Sequence, residues 1–288
     1  MDRHASTQPA RVGAGTGRSR RARMTGTTMS DAVFPFPDRV LLRSAKGRPL
    51  YRLVCLHHAG AGASAYAPWM SRLPQDVELC AVRLPGRESR MGQAPHRSPA
   101  SAVAEVVETL EALLTDGLPW ALYGHSMGGL LAYEVQAALI ARGVRPPLCL
   151  ALGATGAPQR RAAVPPRLPQ PYGRADLVDV LRSYGGTPQE VFEHRELLDL
   201  ILPVLAADLT LFDSYVPVLP PAPVRCPLLA FAGAQDSMVE AADVAEWEAC
   251  ATGGFEYRLL DAGHFFVGSH ADEVITLLDA SARAAVSV

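Results

Sequence analysis

Short apolar runs alternate with longer segments of helical spacing along most of the chain. Runs near 40–44, 51–58, 77–84, 119–124, 147–154, 226–232 and 255–260 have strand length. Segments near 64–72, 99–115, 127–142, 240–251 and 270–285 carry apolar residues at helical spacing. This βα alternation predicts an α/β fold, a mostly parallel sheet with helices on both faces. Segment 158–223 breaks the pattern with 11 of the chain's 24 prolines, followed by helical stretches near 174–184, 188–200 and 201–215. Leu197, Leu198, Ile201, Leu202, Leu205, Leu209 and Phe212 recur there at helical spacing. Such a stripe packs on the domain. Because it sits between two strands, it also reads as a helical lid over a site at the strand ends.

The strongest chemical signal is Gly124-His-Ser-Met-Gly128, between a strand-like run and an amphipathic helix. Strand, G-x-S-x-G and helix together define a nucleophile elbow, with Ser126 presented above the sheet. Alone the pentapeptide carries little weight, because short patterns recur by accident. A serine nucleophile needs a base and an acid, expected downstream in the order acid, then histidine, on loops after strands. Run 226–232 ends in Gly233-Ala-Gln-Asp236, and run 255–260 ends in Asp261-Ala-Gly-His264. The predicted triad is therefore Ser126, Asp236 and His264.

Other candidates fit less well. Asp261 shares the loop of His264 and reads as a turn-former, while Asp208 and Asp213 lie in a helical pattern away from a strand end. The loop after 147–153 holds no carboxylate. His125 adjoins the nucleophile and reaches poorly back to its hydroxyl. His4 falls in the tail, His96 and His194 in polar surroundings, and His270 starts the last helix. Oxyanion donors are expected from the backbone N–H of Met127 and of Ala59, in the small-residue segment after run 51–58. That segment lacks a phosphate-loop ending. Adjacent strand residues His57 and His58 point to opposite faces, against a metal site.

Hydrophobic residues make up 49% of the 288 positions and the net charge is −2, which fits a globular enzyme and gives no basic balance for nucleic acid. No run approaches transmembrane length. Of the five cysteines, Cys55, Cys80, Cys149 and Cys226 fall in apolar runs. A buried, reduced role follows, and with it a cytoplasmic location. Residues 1–30 are rich in Arg, Ser, Thr, Gly and Ala and predict a disordered tail before a domain at 31–288. Met24 and Met29 are alternative initiators to Met1.

With these residues in place, the chain resembles the type II thioesterases of polyketide and nonribosomal peptide pathways over nearly all of 35–285. His58-Ala-Gly is similar to the family's oxyanion segment, and Leu84-Pro-Gly-Arg-Glu-Ser-Arg90 to its Pro-Gly-Arg-x-x-Arg motif. Gly124 to Gly129 matches its elbow. Leu202-Pro, Ala207-Asp-Leu and Tyr215 resemble its lid helix. Gly233-x-x-Asp236, Trp247 and Gly263-His-Phe-Phe266 match its acid and histidine regions. The chain departs at His57, Ala61 and Ala206, where the family usually has proline, glycine and arginine.

The resemblance implies an α/β-hydrolase fold with a lid insertion at about 158–223. It implies removal of aberrant or stalled acyl groups from the phosphopantetheine arm of acyl or peptidyl carrier proteins. No cofactor and no metal is needed, nucleic acid and membrane are not partners, and a monomer is expected. A carboxylesterase or lipase acting on oxygen esters, and a chain-releasing thioesterase or cyclase, are the alternatives. Arg87 and Arg90 either hold their loop or face an acidic carrier. At least one of Leu205, Leu209 and Phe212 is expected to line an acyl channel.

Overall fold

The computed structural model describes residues 34–161, 171–184, 187 and 189–286. The predicted tail at 1–30 and part of the insertion, 162–170 with 185, 186 and 188, lie outside the described residues. Seven strands form one sheet: β1 (Val40–Arg43), β2 (Tyr51–Leu56), β3 (Val77–Val82), β4 (Trp120–His125), β5 (Leu150–Gly153), β6 (Leu228–Gly233) and β7 (Phe255–Leu260). Their order is β1-β3-β2-β4-β5-β6-β7, with β1 antiparallel to β3 and every other pairing parallel.

The strands β2, β4, β5 and β6 are buried throughout, so both faces of the sheet must be covered. Alternate residues serve opposite faces. Val54, Leu56, Leu122, Leu228 and Ala230 join a core containing α1 (Pro99–Leu113), α2 (Met127–Ala141) and much of the lid. Leu53, Cys55, Ala121, Tyr123, Leu229 and Phe231 join a second core on the other face. That core is closed by Tyr66 and Trp69, by α8 (Phe266–Ser269) and by α9 (Ala271–Val286). The five cysteines are buried and free. No helix among the described residues is long and apolar enough to cross a membrane.

Three predicted helices differ in detail. The segment near 64–72 is a 3₁₀ helix, Ala63–Ser71, with Pro68 inside it. The segment near 240–251 divides into α7 (Ala241–Ala245) and a 3₁₀ turn, Glu246–Cys250. The insertion continues from α3 (Pro158–Arg161) to α4 (Arg174–Ser183) and α5 (Gln189–Glu193). The expected break near 200 is absent: α6 runs unbroken over Arg195–Asp213, through Pro203. An internal proline costs about 3 kcal/mol. Burial of Leu198, Leu202, Leu205, Leu209 and Leu211 on one helix offsets it.

Candidate active site

Ser126 stands between β4 and α2 with φ 55° and ψ −116°, a conformation that L residues rarely adopt. The turn is held by the Ser126 N–H, which donates to the Gly153 carbonyl at 2.7 Å. A Cβ at Gly124 would overlap the Gly128 carbonyl, and one at Gly128 would overlap the Leu56 carbonyl. Both glycines are therefore required by close backbone approach.

The structure brings the three predicted side chains together. His264 Nε2 lies 2.9 Å from Ser126 Oγ, and His264 Nδ1 lies 2.7 Å from Asp236 Oδ2. A carboxylate only accepts, so Nδ1 carries the proton and Nε2 is left to accept from the serine hydroxyl. Asp236 Oδ1 accepts the N–H groups of Met238 at 2.7 Å and Val239 at 3.0 Å. Burial alone would raise the Asp236 carboxyl, but the His264 hydrogen bond and charge with these two N–H groups hold it below the usual carboxylate range. Asp261 is exposed and takes the Gln235 amide instead.

His125, set aside from the sequence, supports the base from behind. Its ring is fully buried, and Nε2 donates to the His264 carbonyl at 2.7 Å. Its Nδ1 lies 3.0 Å from the Tyr123 hydroxyl, which donates to it. Burial first, then the neighbouring His264 and His58, pushes this imidazole well down, so the bridge is neutral.

The predicted oxyanion segment follows β2. Met127 opens α2, so its N–H has no intrahelical acceptor. Among the described residues none accepts the Ala59 N–H. The next residues are committed: the Gly60 N–H donates to Asp208 Oδ2 at 2.8 Å, and the Ala61 N–H to the His58 carbonyl at 3.2 Å. Asp208, read from the sequence as remote, is buried on α6 and bidentate to Arg87, with both bonds at 2.8 Å. Arg87 also donates to the Ala61 carbonyl at 2.8 Å. Arg90 is buried as well, on Glu105 and the Arg83 carbonyl. Both arginines therefore hold their loop and neither faces outward. A signal for Asp208 existed: it falls on the stripe of Leu205, Leu209 and Phe212, where a lone carboxylate needs a partner.

Two voids adjoin these groups. A groove of about 560 Å³ is lined by His58, Gly60, Phe265 and the lid residues Tyr184, Ile201 and Val204. A smaller pocket of about 70 Å³ is lined by Leu130, Tyr133, Met238, Val239, Trp247 and Phe212. Of the three lid residues singled out, Leu205 and Leu209 are buried in the core and only Phe212 lines a void.

Comparison with known proteins identifies the family. The chain is 31% identical over 230 residues to the gramicidin S biosynthesis protein GrsT of Aneurinibacillus migulanus, covering 79% of this chain and 87% of that one. Among solved structures, RedJ, a thioesterase from the prodiginine pathway of Streptomyces coelicolor, superposes with a TM-score of 0.73 at 33% identity. That match covers 83% of this chain and 95% of RedJ. YbtT, a type II thioesterase from the yersiniabactin NRPS/PKS pathway, gives 0.77 at 27% identity, covering 86% and 99%. The mostly parallel sheet with its flanking helices is that of thioesterases of the α/β-hydrolase fold, and the thioesterase domain family matches residues 51–282. The chain belongs to the thioesterase family, whose members hydrolyse thioesters.

Proposed function

We propose that this protein is an editing, type II thioesterase that removes aberrant or stalled acyl groups from the phosphopantetheine arm of acyl or peptidyl carrier proteins. The observation that carries the reading is the relay from Asp236 through His264 to Ser126, at 2.7 and 2.9 Å. The pathways named for GrsT and YbtT support the substrate class. The domain at 31–288 acts as a cytoplasmic monomer in this reading.

In the first half-reaction the Ser126 hydroxyl gives its proton to His264 Nε2 as Oγ attacks the thioester carbonyl. The oxyanion is stabilised by the N–H groups of Ala59 and Met127. The tetrahedral intermediate collapses, the C–S bond breaks, and the thiol leaves with the proton from His264. In the second half a water gives its proton to His264 and attacks the acyl-serine, releasing the acid and restoring Ser126. Asp236 holds the imidazole in its productive tautomer and stabilises the imidazolium.

Rates on three substrates of one acyl length test the reading. Acyl carrier protein should give a higher kcat/KM than acyl N-acetylcysteamine, because the carrier adds binding energy remote from the reacting carbon. The oxygen ester should be slowest. Comparable kcat/KM on all three would favour a general esterase, and a cyclic product from a tethered long chain would favour a releasing cyclase.

A further inference from the structure

The lid helix α6 is hydrogen-bonded to the loop after β2 through Asp208. This side chain is 1% exposed, on a helix whose Leu205, Leu209 and Leu211 are buried in the core. A carboxylate in such a place costs several kcal/mol unless it is fully paired, and an apolar residue of similar volume packs about as well. Stability alone therefore does not account for the acid. Its hydrogen bonds do point to a use, because all of them converge on the loop after β2 or on the arginine that holds it.

The contacts form a closed frame. Asp208 fixes the Gly60 N–H and Arg87, and Arg87 fixes the Ala61 carbonyl. Ala61 in turn donates its N–H to the His58 carbonyl, which also accepts His57 Nδ1–H at 2.9 Å. The His58 carbonyl and the Ala59 N–H are two ends of one planar trans peptide and point in opposite directions. Holding the carbonyl by two donors thus sets the direction of the Ala59 N–H. Gly60 itself has φ +75°, and Leu205 Cδ1 lies 3.2 Å from where its Cβ would be. The loop is pressed against α6 as well as bonded to it.

We propose that Asp208 is a positioning residue for oxyanion stabilisation: through Gly60 and Arg87 the lid helix aims the Ala59 N–H at the thioester oxygen. The lid is then part of the catalytic frame as well as a cover. This rests on the proposed reading of Ser126 and its oxyanion donors. A misplaced donor weakens the transition state more than the ground state, so the loss appears in kcat with little change in KM.

The test compares wild type with Asp208→Ala and Asp208→Asn, assayed well below their measured melting temperatures. The substrate is an acyl N-acetylcysteamine thioester. The probe is n-butylboronic acid, whose tetrahedral adduct on serine places an oxygen in the oxyanion position. Asp208→Ala should lower kcat by about 10²-fold, the cost of a misplacement of about 1 Å, with KM within about twofold. The boronic acid Ki should rise by a similar factor. Asp208→Asn keeps an acceptor for the Gly60 N–H and should recover at least about tenfold of the lost kcat. Should the alanine variant not fold, Asp208→Asn and Arg87→Lys, measured against wild type, carry the same kcat and Ki comparison. A loss confined to KM or to melting temperature, with kcat and Ki unchanged, would overturn the proposal. A wild-type enzyme that forms no boronate adduct on Ser126 would overturn the reading beneath it instead.

Discussion

His264 and the Ala59–Gly60 loop are both fixed by buried polar contacts, but the contacts differ in kind. The backbone of His264 is tied to the sheet by a neutral bond, from His125 on β4 to its own carbonyl, while its ring is held by Asp236. The loop is tied to the lid by an ion pair, Arg87 with Asp208, across 121 residues of chain. A neutral bond between rigid strand ends needs little from the rest of the protein. The ionic tie holds only while α6 keeps its place, because either charge left alone in that environment is costly. His264 is thus anchored to a central strand of the sheet, and the Ala59–Gly60 loop to an inserted helix.

The largest effect is expected on the sheet side of the site. Asp236→Asn should cost about 10⁴-fold in kcat, because the amide favours the wrong imidazole tautomer. Asp261→Asn, in the loop that carries His264 but exposed, should change kcat by less than about threefold. Steady-state rates on one thioester decide between them, and reversed magnitudes would move the acid to Asp261.

Next in size come the two anchors themselves. Asp208→Ala leaves the Arg87 charge buried and unpaired and should destabilise by about 3–5 kcal/mol. His125→Leu removes a neutral donor and should cost about 1–3 kcal/mol. Urea unfolding of both variants measures the difference. Equal losses would erase the distinction between an ionic and a neutral tie.

The lid offers a third, smaller contrast. Leu205 is fully buried beneath Gly60, whereas Phe212 is half-buried and lines the small pocket. Leu205→Ala should lower stability by about 2–5 kcal/mol. Phe212→Ala should instead shift acyl-length preference, each methylene in an apolar pocket being worth about 1–3 kcal/mol. A length profile unchanged by Phe212→Ala would remove the small pocket from substrate binding.

The last effect is the gentlest and concerns pH. Burial, then the nearby Arg87, lowers the His57 imidazole to about 3. Burial, then the charges of His57 and His264, lowers His58 to about 3. In the unfolded chain both titrate near about 6.5. Below that value the unfolded state takes up protons that the folded state refuses. Their contribution is therefore complete above about pH 6.5 and is lost progressively as pH falls toward about 3. Melting temperature should decline from pH 7 to pH 5, and His57→Leu should make the decline shallower. A melting temperature that rises on acidification would contradict the burial of these rings.

The sheet side of the site was readable in the sequence because its chemistry sits where apolar runs stop. Ser126, Asp236 and His264 each follow a strand-length run, and the loops are too short to carry them elsewhere. The lid side was less readable. Helical spacing marks the stripe from Leu197 to Phe212 but not which neighbours it meets, and the break expected near 200 is overridden by packing that keeps α6 continuous. The Arg87–Asp208 pair depends on how an insertion folds back over the domain, which no local pattern encodes. Adjacency to Ser126 in the sequence bears only on the reach of His125 to the serine hydroxyl. The partner of His125 is the backbone of His264, a contact that exists only once β4 and the loop after β7 are side by side.

The most direct test of the central claim is intact-mass analysis after a rapid quench, with an acyl-loaded carrier protein as substrate. Wild-type enzyme should carry one acyl group, mapped by peptide sequencing to Ser126. Ser126→Ala should show neither the adduct nor turnover, a loss of about 10⁴-fold or more, with its melting temperature close to wild type. Sustained hydrolysis by the alanine variant, or an acyl group mapped to another residue, would contradict the account.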